Sequence, residues 1–291
     1  MKKLNKIIIE QLEKVFISLD AKGNKNESLE EILLCVKKSV GRAKPLKLLL
    51  FTCSVINADK LFSDKPWLYI KLSLKGNNLE PDLSCLKYVL TKLNKIYPTE
   101  VVILIGNTDP YYVYLKQFKG FTSLDRKILW SKFSKRWSRY KYMLEQKLIT
   151  ELGNKVRVIS WYEFEKETET KFKVSFEKEY EKVKSKISRY FSKKELDWEL
   201  AKLKNQFGSG KYFENLTRPS DKLLKDWVKR KFAEYAVQGK WLYKYFPNTI
   251  LIQNEKPSEL RSRMYQPLIK GEYGDKLPIV YFFGIDNSGF R

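Results

Sequence analysis

Residues 47–57 read KLLLFTCSVIN. Leu48, Leu49, Leu50 and Phe51 follow one another without polar interruption, the pattern of a strand covered on both faces. Thr52 and Ser54 end the apolar run, and Asn57 follows where a helix is expected to begin. Runs of the same kind stand at Trp67–Ser73, Val101–Gly106, Val156–Trp161, Thr249–Gln253 and Ile279–Gly284. Between them the apolar spacing turns helical, over about 27–40, 83–97, 123–152, 163–206 and 220–245. Strands alternating with helices predict an α/β fold: a mostly parallel sheet with helices on both faces. With no internal repeat or low-complexity linker, 1–291 reads as one domain, with a long helical elaboration around 123–206.

Sheets of this kind bind ligands in the crevice beyond the carboxyl ends of their strands. The segment after Thr52 is therefore the first place to look for chemistry. The Ser54 hydroxyl is expected to face that crevice, with Asn57 positioning it or donating to an oxyanion. An ordinary helix cap is the plainer reading of the same serine. Leu50 and Thr52, at the end of the strand, are candidates for the floor of a substrate pocket.

The chain carries 57 Lys+Arg against 34 Asp+Glu, a formal net charge of +23. That excess predicts attraction to polyanions, nucleic acid above all. Histidine is absent, which excludes Ser-His-Asp and Cys-His catalysis and His-ligated zinc. Proton transfer near neutral pH falls to Tyr, Lys, carboxylates, water or the substrate. Cys35, Cys53 and Cys85 are scattered and form no CxxC pair, so neither a metal cluster nor a disulfide framework is expected, and the setting reads as reducing and cytoplasmic. No GxGxxG or GxxxxGK[ST] loop follows a strand, which leaves nucleotide cofactors without support. At the N-terminus, Glu10 and Glu13 interrupt the apolar stretch, so residues 1–18 read as an amphipathic helix rather than a secretion signal.

The charge is clustered. Residues 126–147, RKILWSKFSKRWSRYKYMLEQK, hold eight basic residues against one acid, Glu145. At helical spacing Leu129, Phe133, Trp137, Tyr140, Leu144 and Leu148 share one stripe, while Lys132, Lys135, Arg136 and Arg139 lie on another face. The one-sided charge predicts a phosphate-binding ridge, whereas 163–189, with its many Glu, has the mixed character of a solvated face. Residues 218–238, RPSDKLLKDWVKRKFAEYAVQ, start a helix at Pro219, Ser220 and Asp221 that carries Lys225, Lys229, Arg230, Lys231 and Tyr235. Residues 260–267, LRSRMYQP, place Tyr265 after the 249–253 strand, beside Arg261 and Arg263.

In their order, these four segments resemble the tRNA-dependent cyclodipeptide synthases, a family similar to the catalytic domain of class I tyrosyl- and tryptophanyl-tRNA synthetases without the ATP chemistry. Ser54 and Asn57 fit the S-x-x-N pattern of one subfamily, the Lys132–Arg139 helix fits the family's basic helix, and Tyr235 and Tyr265 fit its two catalytic tyrosines. Gln266 stands between Tyr265 and Pro267, and Gly239 stands four residues after Tyr235, where the family has Glu. Glu234 or Glu255 is then a candidate carboxylate, or the register differs.

The resemblance implies a Rossmann-like fold and an ATP-independent aminoacyltransferase with no cofactor or metal, whose partner is aminoacyl-tRNA. Ser54 would form an aminoacyl-enzyme and, with a second aminoacyl-tRNA, a dipeptidyl-enzyme that cyclises. Ser54, Tyr235, Tyr265 and Asn57 would be catalytic. Leu50, Thr52, Gly239 and Glu255 would line the substrate site, and Lys132, Lys135, Arg136, Arg139 and Lys141 would hold tRNA. A non-catalytic RNA-binding protein on the same fold is the alternative that Gly239 allows. A peripheral membrane protein using Lys2, Lys3, Lys6 and Lys14 is a third reading, with no stable membrane association expected. The amino acids joined and the oligomeric state are not encoded in any readable motif.

Overall fold

The computed structural model describes residues 2–20, 29–52, 79–105, 138, 141–153, 155–208, 220–253 and 278–281. Five strands, β1 (Leu46–Thr52), β2 (Thr99–Ile105), β3 (Lys155–Ser160), β4 (Thr249–Gln253) and β5 (Ile279–Tyr281), form one sheet in the order β3-β2-β1-β4-β5. Each adjacent pair is parallel. The chain winds outward from β1 to β3, then returns to the other side of β1 for β4 and β5. This is a doubly wound, Rossmann-like α/β sheet, with its change of direction between β1 and β4. The expected strands at 47–53, 101–106, 156–161, 249–253 and 279–284 coincide with these within a few residues, while the one at 67–73 lies outside the described residues.

The uninterrupted apolar character of β1 has the expected cause. Successive side chains of a strand point to opposite faces. Leu46, Leu48 and Leu50 enter one core and Leu49 the other, and each is at most 2% exposed. The first core is closed by α1 (Lys2–Asp20), α2 (Leu29–Gly41), α3 (Leu79–Leu93) and the helical residues 141–152, here α4. Leu12, Phe16 and Leu19 of α1 are buried there, so the amphipathic N-terminal helix spends much of its apolar face inside the protein. Leu144 and Leu148, the end of the basic helix's apolar stripe, are buried in the same core.

The second core packs under α5 (Trp161–Phe172), α6 (Phe176–Lys184), α7 (Lys193–Gly208) and α8 (Asp221–Tyr245). The helical pattern over 163–206 is therefore three α-helices and not one. Lys173, at φ 54, takes the left-handed conformation that ends α5, and the Ser175 side chain accepts from the Lys178 N–H to start α6. Ser192 and Glu195 repeat the device at α7, where the Ser192 N–H donates to the Glu195 carboxylate (2.8 Å) and the Glu195 N–H to the Ser192 hydroxyl (3.3 Å). At the end of α8, Asn248 adopts φ 56, a conformation Asn tolerates, and turns the chain into β4. Among the described residues no helix is long and apolar enough to cross a membrane.

Candidate active site

β1 and β4 lie side by side, with Leu50 paired to Ile252, so their carboxyl ends at Thr52 and Gln253 form one rim. On the other side of β1, Thr52 pairs with Ile105 of β2. This rim is the switch-point crevice where such sheets bind ligands. Ser54 and Asn57 follow β1, and Glu255 and Tyr265 follow β4; all four lie outside the described residues. Lys132, Lys135, Arg136 and Arg139 also lie outside them.

Leu50, Thr52, Lys141, Tyr235 and Gly239 lie within the described residues. Leu50 is 1% exposed in the first core. Tyr235 is half-buried against the second, on the opposite face of the sheet. The two therefore approach a common ligand only over the rim. α8 precedes β4 in the chain and shares the second core with Leu251 of β4 and Ile279 of β5. Lys141 is engaged: its ammonium lies 3.2 Å from the Glu163 carboxylate, both groups largely sheltered. Glu163 in turn completes a capping box with Ser160, the last residue of β3.

Gly239 is buried. The residue before it, Gln238, is also buried, and its amide donates 2.8 Å to Oε1 of Glu165 on α5. The same Glu165 oxygen accepts a 2.5 Å hydrogen bond from the Tyr180 hydroxyl of α6. A carboxylate thus reaches this turn of α8 from another helix. Sequence reasoning passed over Glu165 because it sits in the acid-rich 163–189 segment that reads as a solvated face. Its nearest sequence signal is its place five residues beyond the end of β3, and that position alone does not mark burial.

Glu234, the neighbour of Tyr235, is held by Arg230, whose Nε donates to it at 2.7 Å. Arg230 is only 8% exposed. Its guanidinium also pairs with Glu177 (2.7 Å) and Glu181 (2.9 Å) of α6, and it stacks 4.6 Å above the Tyr180 ring. The basic run on α8 is therefore divided: Lys225 and Lys229 face solvent, Lys231 pairs with Glu199, and Arg230 is an internal ionic node. Lower on the same helix, the Tyr245 hydroxyl donates to Glu167, which Arg157 of β3 also grips at 2.7 and 2.8 Å. Burial would raise the Glu167 carboxyl, but Tyr245 and Arg157 outweigh it and hold the group below the usual carboxylate range. Burial, then the hydrogen bond to Glu167, pushes the Tyr245 phenol up.

Sheet order and register define a doubly wound α/β protein whose strand switch point lies between β1 and β4. No family model matches the sequence, and no curated protein matches it. Among solved structures, one described as a CDPS from Fluoribacter dumoffii is similar to this chain, at a TM-score of 0.43 and 12% sequence identity, over 81% of this chain and 89% of that one.

Proposed function

We propose that this protein is a tRNA-dependent cyclodipeptide synthase. The observation that carries the reading is the adjacency of β1 and β4 at the switch point. The two segments that supply the family's Ser and second Tyr leave the sheet from neighbouring strands. Ser54 follows Thr52 by two residues, a distance of at most about 7 Å of chain. Tyr235, on the helix that enters β4, supplies the third group.

In this reading Ser54 Oγ attacks the ester carbonyl carbon of an aminoacyl-tRNA. The bond to the 3′-terminal oxygen breaks, that oxygen takes up a proton, and an aminoacyl-Ser54 ester remains. The amine of this ester attacks the carbonyl of a second aminoacyl-tRNA, giving a dipeptidyl-enzyme and a second free tRNA. The terminal amine of the dipeptide then attacks the Ser54 ester, closes the six-membered ring and regenerates the serine hydroxyl. Both substrates arrive as activated esters, so no ATP is consumed. Asn57 donates to the developing oxyanion, and Tyr235 and Tyr265 orient the aminoacyl group and pass protons. Leu50, Thr52 and Glu255 belong to the rim of the substrate site. Gly239 leaves the family's carboxylate position open, and Lys132, Lys135, Arg136 and Arg139 form the tRNA ridge.

The test is mass spectrometry of medium from a bacterial host expressing wild type or Ser54→Ala. A cyclic dipeptide made by the wild type alone supports the reading and names the amino acids. The second reading, an RNA-binding protein without catalysis, is favoured by Gly239 and by the engagement of Glu234 with Arg230. It predicts tRNA binding with no cyclic dipeptide from either strain.

A further inference from the structure

The outer face of α7 carries a feature that the synthase reading does not use. Trp198 is 54% exposed, the one tryptophan among the large exposed apolar side chains of the described residues. Lys194 and Lys202 stand four residues before and after it, and both are exposed. Residues four apart share one side of a helix, so the three form a stripe about 12 Å long. The Lys202 ammonium lies over the Trp198 ring, 5.3 Å from its centroid. Lys193, also exposed, adds a further cation at the start of the helix.

The acids of α7 are mostly committed elsewhere. Glu195 caps the helix through Ser192, and Glu199, 4% exposed, pairs with Lys231 of α8. Asp197 is the acid left exposed near the stripe. The indole stands apart from the second core, toward which α7 turns Leu196 and Leu200. A flat aromatic face flanked by cations is the combination that holds single-stranded nucleic acid: the ring stacks a base and the lysines meet the phosphates on either side.

We infer that Lys194, Trp198 and Lys202 form a contact surface for an unpaired stretch of RNA, in addition to the residues Lys132, Lys135, Arg136 and Arg139 that the synthase reading assigns to tRNA. The indole supplies stacking that tolerates any base, and the lysines supply salt-dependent affinity. The surface stands on its own observations, but with the synthase reading it would grip an unpaired region of the tRNA away from the aminoacyl end.

The experiment measures binding of a fluorescent oligoadenylate and of total tRNA to the full-length protein across a salt series. Wild type, Trp198→Ala, Trp198→Phe and Lys194→Ala plus Lys202→Ala are compared, all at exposed positions. Trp198→Ala is expected to weaken oligoadenylate binding roughly 5- to 100-fold, with Trp198→Phe retaining most of the affinity. The double lysine variant should lower the salt slope by about 1 to 2. Trp198→Ala binding as tightly as wild type, with an unchanged slope in the double variant, overturns the inference. So does a wild type that binds no oligonucleotide. Cyclic dipeptide in the medium is scored separately, so the synthase reading stands or falls on its own result.

Discussion

The amide of Gln238 on α8 donates 2.8 Å to the Glu165 carboxylate on α5, so a glutamate that follows β3 meets the helix that precedes β4. The contact lies one residue from Gly239. The Tyr180 hydroxyl shares the same oxygen, which ties three helices of the second core to one buried carboxyl group.

Because both donors converge on that oxygen, Glu165→Leu should remove their shared acceptor and leave the Tyr180 hydroxyl and the Gln238 amide with the longer 3.4 Å bond between them. The expected cost is about 2–5 kcal/mol. Glu165→Gln, which keeps the shape and one acceptor oxygen, should cost less, about 1–2 kcal/mol. Urea unfolding monitored by tryptophan fluorescence gives both values, and equal stability of all three proteins would show that the hydrogen bonds do not matter.

Arg230 is shared by Glu177, Glu181 and Glu234. Arg230→Met should leave Glu177, Glu181 and Glu234 without their shared cation; the first two are more than half exposed and Glu181 keeps Lys184, so the expected destabilisation is about 1–3 kcal/mol. Arg230→Lys should recover only part of this, since an ammonium cannot make the same forked contacts. Thermal melts at pH 7 test the ranking of wild type above Lys above Met.

Glu167 and Tyr245 predict opposite pH dependences. The Glu167 carboxyl is depressed in the folded state, so its contribution is present above its ordinary value of 4.5 and is lost as pH falls through the lower folded value. The melting-temperature gap between wild type and Glu167→Gln should therefore close on acidification below about 4.5. Tyr245 is raised above 10.0, so its contribution is present below pH 10.0 and is lost as pH rises through the folded value. The gap between wild type and Tyr245→Phe should close there. Glu167 and Arg157 side chains are 38% and 43% exposed, so the ion pair is screened and worth less than about 1 kcal/mol.

Cys35 is buried on α2, and burial pushes its thiol up to about 11. Little thiolate forms at pH 8. Peptide mapping after iodoacetamide treatment at that pH should find Cys35 unmodified in the native protein and alkylated in urea. Modification at equal rates in both states would contradict the burial.

Lys135→Ala plus Arg136→Ala tests the proposed tRNA ridge. Affinity for tRNA should fall for all species tested, and the slope of log affinity against log salt should drop by about 2. Unchanged binding would move the tRNA site elsewhere on the surface.

Much of the architecture is legible in the chain because burial on both faces writes itself into β1 as Leu48–Phe51 without alternation. The same logic marks β2, β3 and β4, and helical spacing marks α2, α3 and α8 within a few residues. Turn chemistry is less visible: Lys173 in the left-handed conformation breaks the 163–206 pattern, and no glycine announces it. Of the candidate site, the sequence offers Ser54, Tyr235 and Tyr265 as types in order, and strand adjacency shows why two of their segments would meet.

Sequence by itself determined the parallel α/β class, the polyanion-seeking charge and the exclusion of histidine chemistry, since these depend on composition and on period along one chain. Only the tertiary structure decided the fates of Glu165, Arg230 and Trp198. Glu and Arg look like surface residues and Trp like core in any local window. Whether each is buried depends on what distant helices bring to it: Tyr180 and Gln238 to Glu165, and Glu177 and Glu181 to Arg230, whereas the ring of Trp198 meets Lys202 of its own helix.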